Sequence, residues 1–219
     1  MGVLRIIDEG NLDLSIDALL ADSNALHKSA GHRVDAHNKD AAAHHIDLPG
    51  FILDRMRVSL RESGIKHDVV AAVLAMAPEG AVGNVRLWRR LAAALDSFLS
   101  SDDGRLLASG WRRVSSLLAT EEKKTTNLPF QVDQGLFVDQ TETDLYKAVQ
   151  LLPNSGGQNE SAILSSMQGL ASLSGPIDRF FDAVVVNADE DTVRSNRLAL
   201  LAAVRAKMLV IADFSQLEG

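Results

Sequence analysis

The feature that most constrains this chain is a charged side chain inside an apolar helical stripe near its C-terminal end. From Val193 onward, steps of about 100° per residue place Val193, Leu200, Val204, Met208 and Ile211 in one stripe, with Leu201 at its edge. Arg197 falls inside that stripe and Asn196 on its border. An unpaired charge or amide is costly to bury, so a chain folding around this helix must supply partners for both. Acids of the preceding segment such as Asp178 or Asp182 are the expected partners of Arg197. Arg194 projects to one side, where Glu190 four residues earlier can pair with it.

Upstream, Gly175-Pro176 reads as a helix start, because proline at the first helical position gives up only a donor that is unpaired there anyway. Ile177, Phe180, Phe181, Val184 and Val185 follow at helical spacing. The β-branched run Val184-Val185-Val186 lowers helix propensity and keeps a strand open as the alternative. Residues 187–191 read as a turn, with Asp189 the N-cap candidate and acids suited to the positive end of the next helix.

The rest of the chain reads as helix and turn. Residues 2–22 carry Leu12, Ile16, Leu19 and Leu20 at the spacing of a short amphipathic helix. Residues 24–45 are polar, alanine-rich and hold five of the six histidines, His27, His32, His37, His44 and His45. Imidazole is a common metal ligand, but these rings lack the three- or four-residue helical spacing that aims two at one ion. A solvated linker or weak helix is expected there, and no metal site. Asp47 and Pro49 open a helix carrying Phe51, Ile52, Met56, Val58 and Leu60. His67-Asp68 is the dipeptide that bridges metals in some phosphohydrolases. That chemistry needs a further histidine and a distant aspartate on facing helices, whereas Asp68 sits where it can cap a helix beginning at Val69. After a turn-rich break at 78–84, Leu87, Leu91, Leu95 and Phe98 share a face of a helix over 85–99, with Arg86, Arg89 and Arg90 elsewhere. Asp102-Asp103 precede a helix over 106–118 whose apolar side is Trp111, Val114, Leu117 and Leu118. A polar connection at 121–133 leads to Glu142, Leu145, Tyr146 and Val149 within 138–152, then a loop at 154–157. Ile163, Leu164, Met167, Leu170 and Leu173 form one more helix.

Composition narrows function by exclusion. With no cysteine among 219 residues, disulfides, thiolate catalysis and cysteine-based zinc sites are ruled out together. No run approaches the roughly 20 apolar residues of a membrane span, and the N-terminus lacks a basic-then-apolar signal, so a cytoplasmic protein with no membrane partner is expected. The net charge of −7 argues against a chain whose whole surface binds nucleic acid while leaving room for a local basic patch, and no DNA partner is expected. There is no phosphate-binding Gly-x4-Gly-Lys loop, no Gly-x-Gly-x-x-Gly, no Gly-x-Ser-x-Gly and no His-Glu-x-x-His. No catalytic residue and no cofactor are therefore assigned to this chain.

The C-terminal stretch carries a resemblance. Pro176-Ile177-Asp178, Phe180-Phe181-Asp182, Val184 to Val186, Arg194-Ser195-Asn196-Arg197-Leu198-Ala199-Leu200-Leu201 and Ala212-Asp213-Phe214-Ser215-Gln216-Leu217 follow in order and without gaps. That pattern closely resembles the end of the β-subunit of bacterial glycyl-tRNA synthetase. Phe51, Asp54, Arg55 and Arg57, then Gly64-Ile65, Asp68 and Ala72-Val73-Leu74, resemble earlier motifs of the same family. Where the family has an asparagine after Arg112-Arg113, this chain has Ser116.

The resemblance implies an all-α fold, with an anticodon-binding helical bundle akin to that of arginyl-tRNA synthetase over residues 105–219. Additional helices at 49–104 would precede it, and an N-terminal helix and polar linker at 1–48 would be the tail of an HD-type domain. The chain then resembles the last third of a β-subunit. The implied partners are tRNA-Gly and an α-subunit that carries the adenylate chemistry, with ATP and Mg used by the full enzyme. Splayed anticodon bases are read on faces and edges while cations hold phosphates. This nominates Arg112, Arg113, Arg179, Arg194, Arg205 and Lys207 for tRNA. Trp111 is a stacking candidate, although its apolar repeat favours the core. Asn196, Arg197, Asp178 and Asp182 are nominated as internal polar struts. The alternative is a helical module that builds a subunit interface with little RNA contact.

Overall fold

The computed structural model describes residues 2, 6, 7, 10, 12–29, 47–77, 79–124, 131–154 and 159–217. Among them the regular elements are helices: α1 (Ile16–Ser29), α2 (Leu48–Glu62), α3 (His67–Leu74), α4 (Val85–Leu99), α5 (Asp102–Glu122), α6 (Gln140–Leu151), α7 (Glu160–Ala183) and α8 (Asp191–Leu209). Short 3-10 turns occupy Gln134–Leu136 and Phe214–Gln216. The all-α expectation holds over these residues. His32, His37, His44 and His45 lie outside them. The chain divides into two compact units, Met1–Ala92 and Ala93–Gly219, so the division falls inside α4.

In the first unit, Asp47 caps α2 by accepting from the Gly50 amide at 2.9 Å, with Pro49 in the first turn. Met56 and Leu60 of α2 are buried, and α2 packs against α3, whose Val69, Val70, Ala72, Val73 and Leu74 are buried. Helix α3 begins at His67 rather than Val69, and Lys66 is its capping position. Asp68 therefore lies in the first turn, where its carboxylate accepts from the Val69 amide, and is not the cap. The apolar pattern read over 2–22 is not one buried face: α1 starts at the buried Ile16, while Leu12 and Leu19 are exposed. Asp17 of α1 instead holds the turn before α4, its two oxygens accepting from the Val82 and Gly83 amides at 2.8 Å each.

In the second unit, α7 lies against both α5 and α6, and α8 against the same two helices. Leu107, Val114 and Leu118 meet Leu145, Val149, Leu170, Leu173, Ile177, Phe180, Leu200, Val204 and Met208 in the core. Each such side chain contributes about 1.5–3 kcal/mol by leaving water. Trp111 belongs to this core, its ring 5.5 Å from that of Phe214, and so it is no stacking surface for a base. Where α5 and α7 meet, Gly110 is buried, and a β-carbon there would stand 2.6 Å from Ile177 Cγ2.

Helix α7 corrects the reading of Gly175-Pro176 as a start. It is continuous over 24 residues with Pro176 in its interior. Proline there removes the amide that would bond the Ser172 carbonyl, but Leu173, Ile177 and Phe180 are all buried and anchor the helix on both sides of the gap. The helix ends at Ala183, and Val184 is extended at φ −115° and ψ 125°. Val184 and Val186 are buried while Val185 is exposed, an alternation of period two without a partner strand. Val184 thus takes strand-like backbone, and among the described residues the valine run pairs with no strand.

Candidate nucleic-acid interface

The polar residues of the α8 stripe are inside the second unit. Arg197 is 9% and Asn196 5% exposed. Arg197 Nε donates to Glu142 Oε1 at 2.9 Å, and Nη1 donates to the Val185 carbonyl at 2.8 Å. The other Glu142 oxygen accepts from the Val138 and Asp139 amides at 2.7 Å each, while Asp139 caps α6 by accepting from the Thr141 amide at 2.8 Å. The acid that meets Arg197 is therefore Glu142, not Asp178 or Asp182. The reason is geometric: the reciprocal cap turns Glu142 inward at the start of α6, whereas Asp182 is exposed and Asp178 half-buried on α7. Asn196 clamps one residue from both sides. Its Oδ1 accepts from the Asp133 amide and its Nδ2 donates to the Asp133 carbonyl, each at 2.8 Å.

Three of the six nominated cations are held by partners within the unit. Arg194 pairs with Asp191 one turn earlier and reaches the Ala188 carbonyl at 3.4 Å. It does not pair with Glu190, which occupies the capping position expected for Asp189 and accepts from the Thr192 hydroxyl at 2.5 Å. Arg205 bridges to Glu122 of α5 at 2.5 Å, and this hydrogen bond holds the Glu122 carboxyl below its ordinary value. Lys207 donates to the Leu152 carbonyl at 3.3 Å and to the Asn154 side chain. Two residues apart, Arg205 and Lys207 point about 200° from one another around α8. They brace opposite flanks of that helix.

Arg112, Arg113 and Arg179 are exposed, and none has an ion-pair partner among the described residues. The guanidinium of Arg113 lies over the Phe181 ring, 4.2 Å from its centre, and Nη2 donates to the Phe181 carbonyl at 3.4 Å. Arg179 is two residues from Phe181, about 200° around α7, which turns it away from α5. The structure thus joins Arg113 to the end of α7 and leaves Arg179 on a different side.

What Arg112 does share is a line along α5 that sequence reasoning missed. Arg105, Arg112, Ser116 and Lys123 are separated by 7, 4 and 7 residues, and all are exposed. At about 100° per residue these steps drift by no more than about 40°, so the four form a stripe roughly 27 Å long. Exposed Ser109 lies beside it. Nearby acids are engaged: Asp102 with Arg105, Glu121 with Lys124 and Glu122 with Arg205. The 7-4-7 spacing was the available signal. Arg105 is itself paired with Asp102, as Arg194 is with Asp191, but that pair lies at the surface, its side chains 63% and 98% exposed, where a phosphate can displace it. By contrast, a cleft of about 360 Å³ at the start of α8 is lined by Asp133 and Asp191 with Gln131, Leu136, Thr192, Ser195 and Asn196. Its two carboxylates disfavour phosphate. Among the described residues no group of three or more His, Asp or Glu is placed to hold a metal ion, and no helix is long and apolar enough to cross a membrane.

The second unit is thus all-α, with a line of cations along the outer side of α5. Residues 109–211 match the DALR anticodon binding domain. The wider chain is similar to glycine–tRNA ligase β-subunits. That of Ruegeria sp. (strain TM1040) is 38% identical over 183 residues, covering 79% of this chain and 25% of that protein. That of Rhodospirillum centenum (strain ATCC 51521 / SW) is 33% identical over 227 aligned positions, covering 100% of this chain and 30% of that protein. The chain spans between a quarter and three-tenths of the length of these relatives.

Proposed function

We propose that this chain binds tRNA through the outer side of α5, as the anticodon-binding part of a glycine–tRNA ligase β-subunit. In this reading it works in the cytoplasm with an α-subunit and supports the ATP-dependent attachment of glycine to tRNA-Gly without a catalytic residue of its own. The observation that carries the reading is the exposed line of Arg105, Arg112 and Lys123 along the outer side of α5 and its C-cap, in a chain whose total charge is −7. Long cations along a rod of about 27 Å can follow a phosphate backbone, and Ser109 and Ser116 add hydroxyls for sugar or phosphate. Filter binding of the full chain to tRNA-Gly and to an unrelated tRNA tests it. Tighter binding of tRNA-Gly that weakens steeply with salt is expected. Equal affinity for both, or no dependence on salt, overturns it.

A subunit-interface reading has its own observation, the exposed Leu151 on α6 and Leu164 on α7, at 71% and 61%. Co-purification with an α-subunit that survives Arg112→Glu and fails with Leu151→Asp and Leu164→Asp favours that reading.

A further inference from the structure

We infer that Arg113 and Phe181 together form a stacking platform for one unpaired RNA base, beside the phosphate-following stripe of α5. The inference rests on the tRNA-binding reading and adds a defined site to it.

The pair is built, not merely adjacent. The guanidinium centre lies 4.2 Å from the Phe181 ring centre, and the Nη2 bond to the Phe181 carbonyl ties the same side chain to the backbone of α7. Phe181 is itself fixed, its ring edge-on to the fully buried Phe180 at 5.5 Å between centres. Arg113 is exposed and has no carboxylate partner among the described residues, so the face of its plane turned from Phe181 remains open to a ligand. A planar guanidinium already supported by an aromatic ring offers a π-surface at little further cost in side-chain entropy.

A base fits this surface better than a phosphate does. Asp182, the next residue on α7, is exposed and adds negative charge to the end of that helix, which favours a neutral base face over an anion. The phosphates of the same strand are then left to Arg112 and the rest of the stripe. Only an unpaired base can reach such a platform, since duplex RNA keeps its base faces stacked. Stacking tolerates every base, so the platform holds and positions a loop nucleotide and leaves its identity to other contacts.

The test uses the full chain, a synthetic anticodon stem-loop of tRNA-Gly, and the variants Arg113→Lys and Phe181→Leu. Lysine keeps the charge and loses the plane, and leucine keeps an apolar contact and loses the ring. Each variant is expected to bind about tenfold more weakly, as loss of one stacked base predicts, with the same dependence on salt as the parent. Arg113→Lys matching the parent affinity shows that charge alone acts here and overturns the platform, while salt-dependent binding by the parent keeps the tRNA reading intact. No binding by the parent removes both. Should Phe181→Leu melt early by circular dichroism, Arg113→Lys decides by itself, because that side chain is exposed.

Discussion

Arg197 shows what a single residue can and cannot announce. Its phase among Val193, Leu200 and Val204 is enough to place it inward, because helical geometry is local. Its partner is not local: Glu142 is 55 residues away, on another helix. The readable clue was the pair Asp139 and Glu142 three residues apart, a reciprocal cap that also turns a carboxylate inward. Arg197→Met should cost about 3 kcal/mol or more in a urea melt, since Glu142 is left buried without its cation. Arg197→Ala should cost more still, because it adds a cavity. Equal and negligible losses would show that the side chain is not a buried strut. Asn196→Asp should cost about 1–3 kcal/mol, as it takes the Nδ2 donor from the Asp133 carbonyl.

Acid stability belongs to this scale too. Asp139 lies below its ordinary 3.8 through the Thr141 hydroxyl and amide, and Glu122 lies below 4.5 through Arg205. For Asp213, burial pushes upward, but the Ser215 hydroxyl and amide with Gln216 outweigh it and leave the carboxyl low. Depressed carboxyls contribute stability that is fully present above the ordinary values and is lost as pH falls through the folded ones. The melting temperature should therefore be insensitive to these groups from pH 7 to about 5 and fall below about 4. Asp139→Asn should shrink that fall, and an identical pH profile would remove Asp139 from the account.

At the scale of elements, helix existence was legible and helix limits were not. The apolar period of α5, α7 and α8 is local and strong, whereas the limits depend on what the neighbours anchor. Gly175-Pro176 has the chemistry of a helix start, yet Leu173 and Ile177 are buried on either side and carry α7 through it. Pro176→Ala should accordingly raise the urea midpoint, by restoring a bond to the Ser172 carbonyl; a lowered midpoint would mean the ring itself packs. Gly110→Ala should do the reverse despite alanine's better helix propensity. Its β-carbon meets Ile177, which is stiff at its β-carbon, so α5 and α7 must separate at a cost of about 1–3 kcal/mol. An unchanged or raised midpoint contradicts so close an approach.

For the whole molecule, the family resemblance was legible in a gap-free C-terminal pattern, while the candidate interface was only partly so. Sequence shows which residues are cations and not which are already occupied. Arg194, Arg205 and Lys207 each have partners that only tertiary structure brings near, or that helix limits select. Arg112 and Arg113 are exposed, but Arg105 and Lys123 escaped notice because their common line appears only when α5 runs from Asp102 to Glu122 with Lys123 at its cap. A net charge of −7 is compatible with this surface, since binding depends on where cations lie and not on their sum.

The most direct measurement is therefore the salt dependence of tRNA-Gly binding for the full chain against a variant carrying Arg105→Gln, Arg112→Gln and Lys123→Gln. Lys207→Gln is the control, since Lys207 is held by the Leu152 carbonyl and the Asn154 side chain. The account predicts that the slope of log affinity against log salt shrinks by about 0.7 for each of the three contacts removed, and stays unchanged for the control. A triple variant with the parent slope and affinity would contradict it.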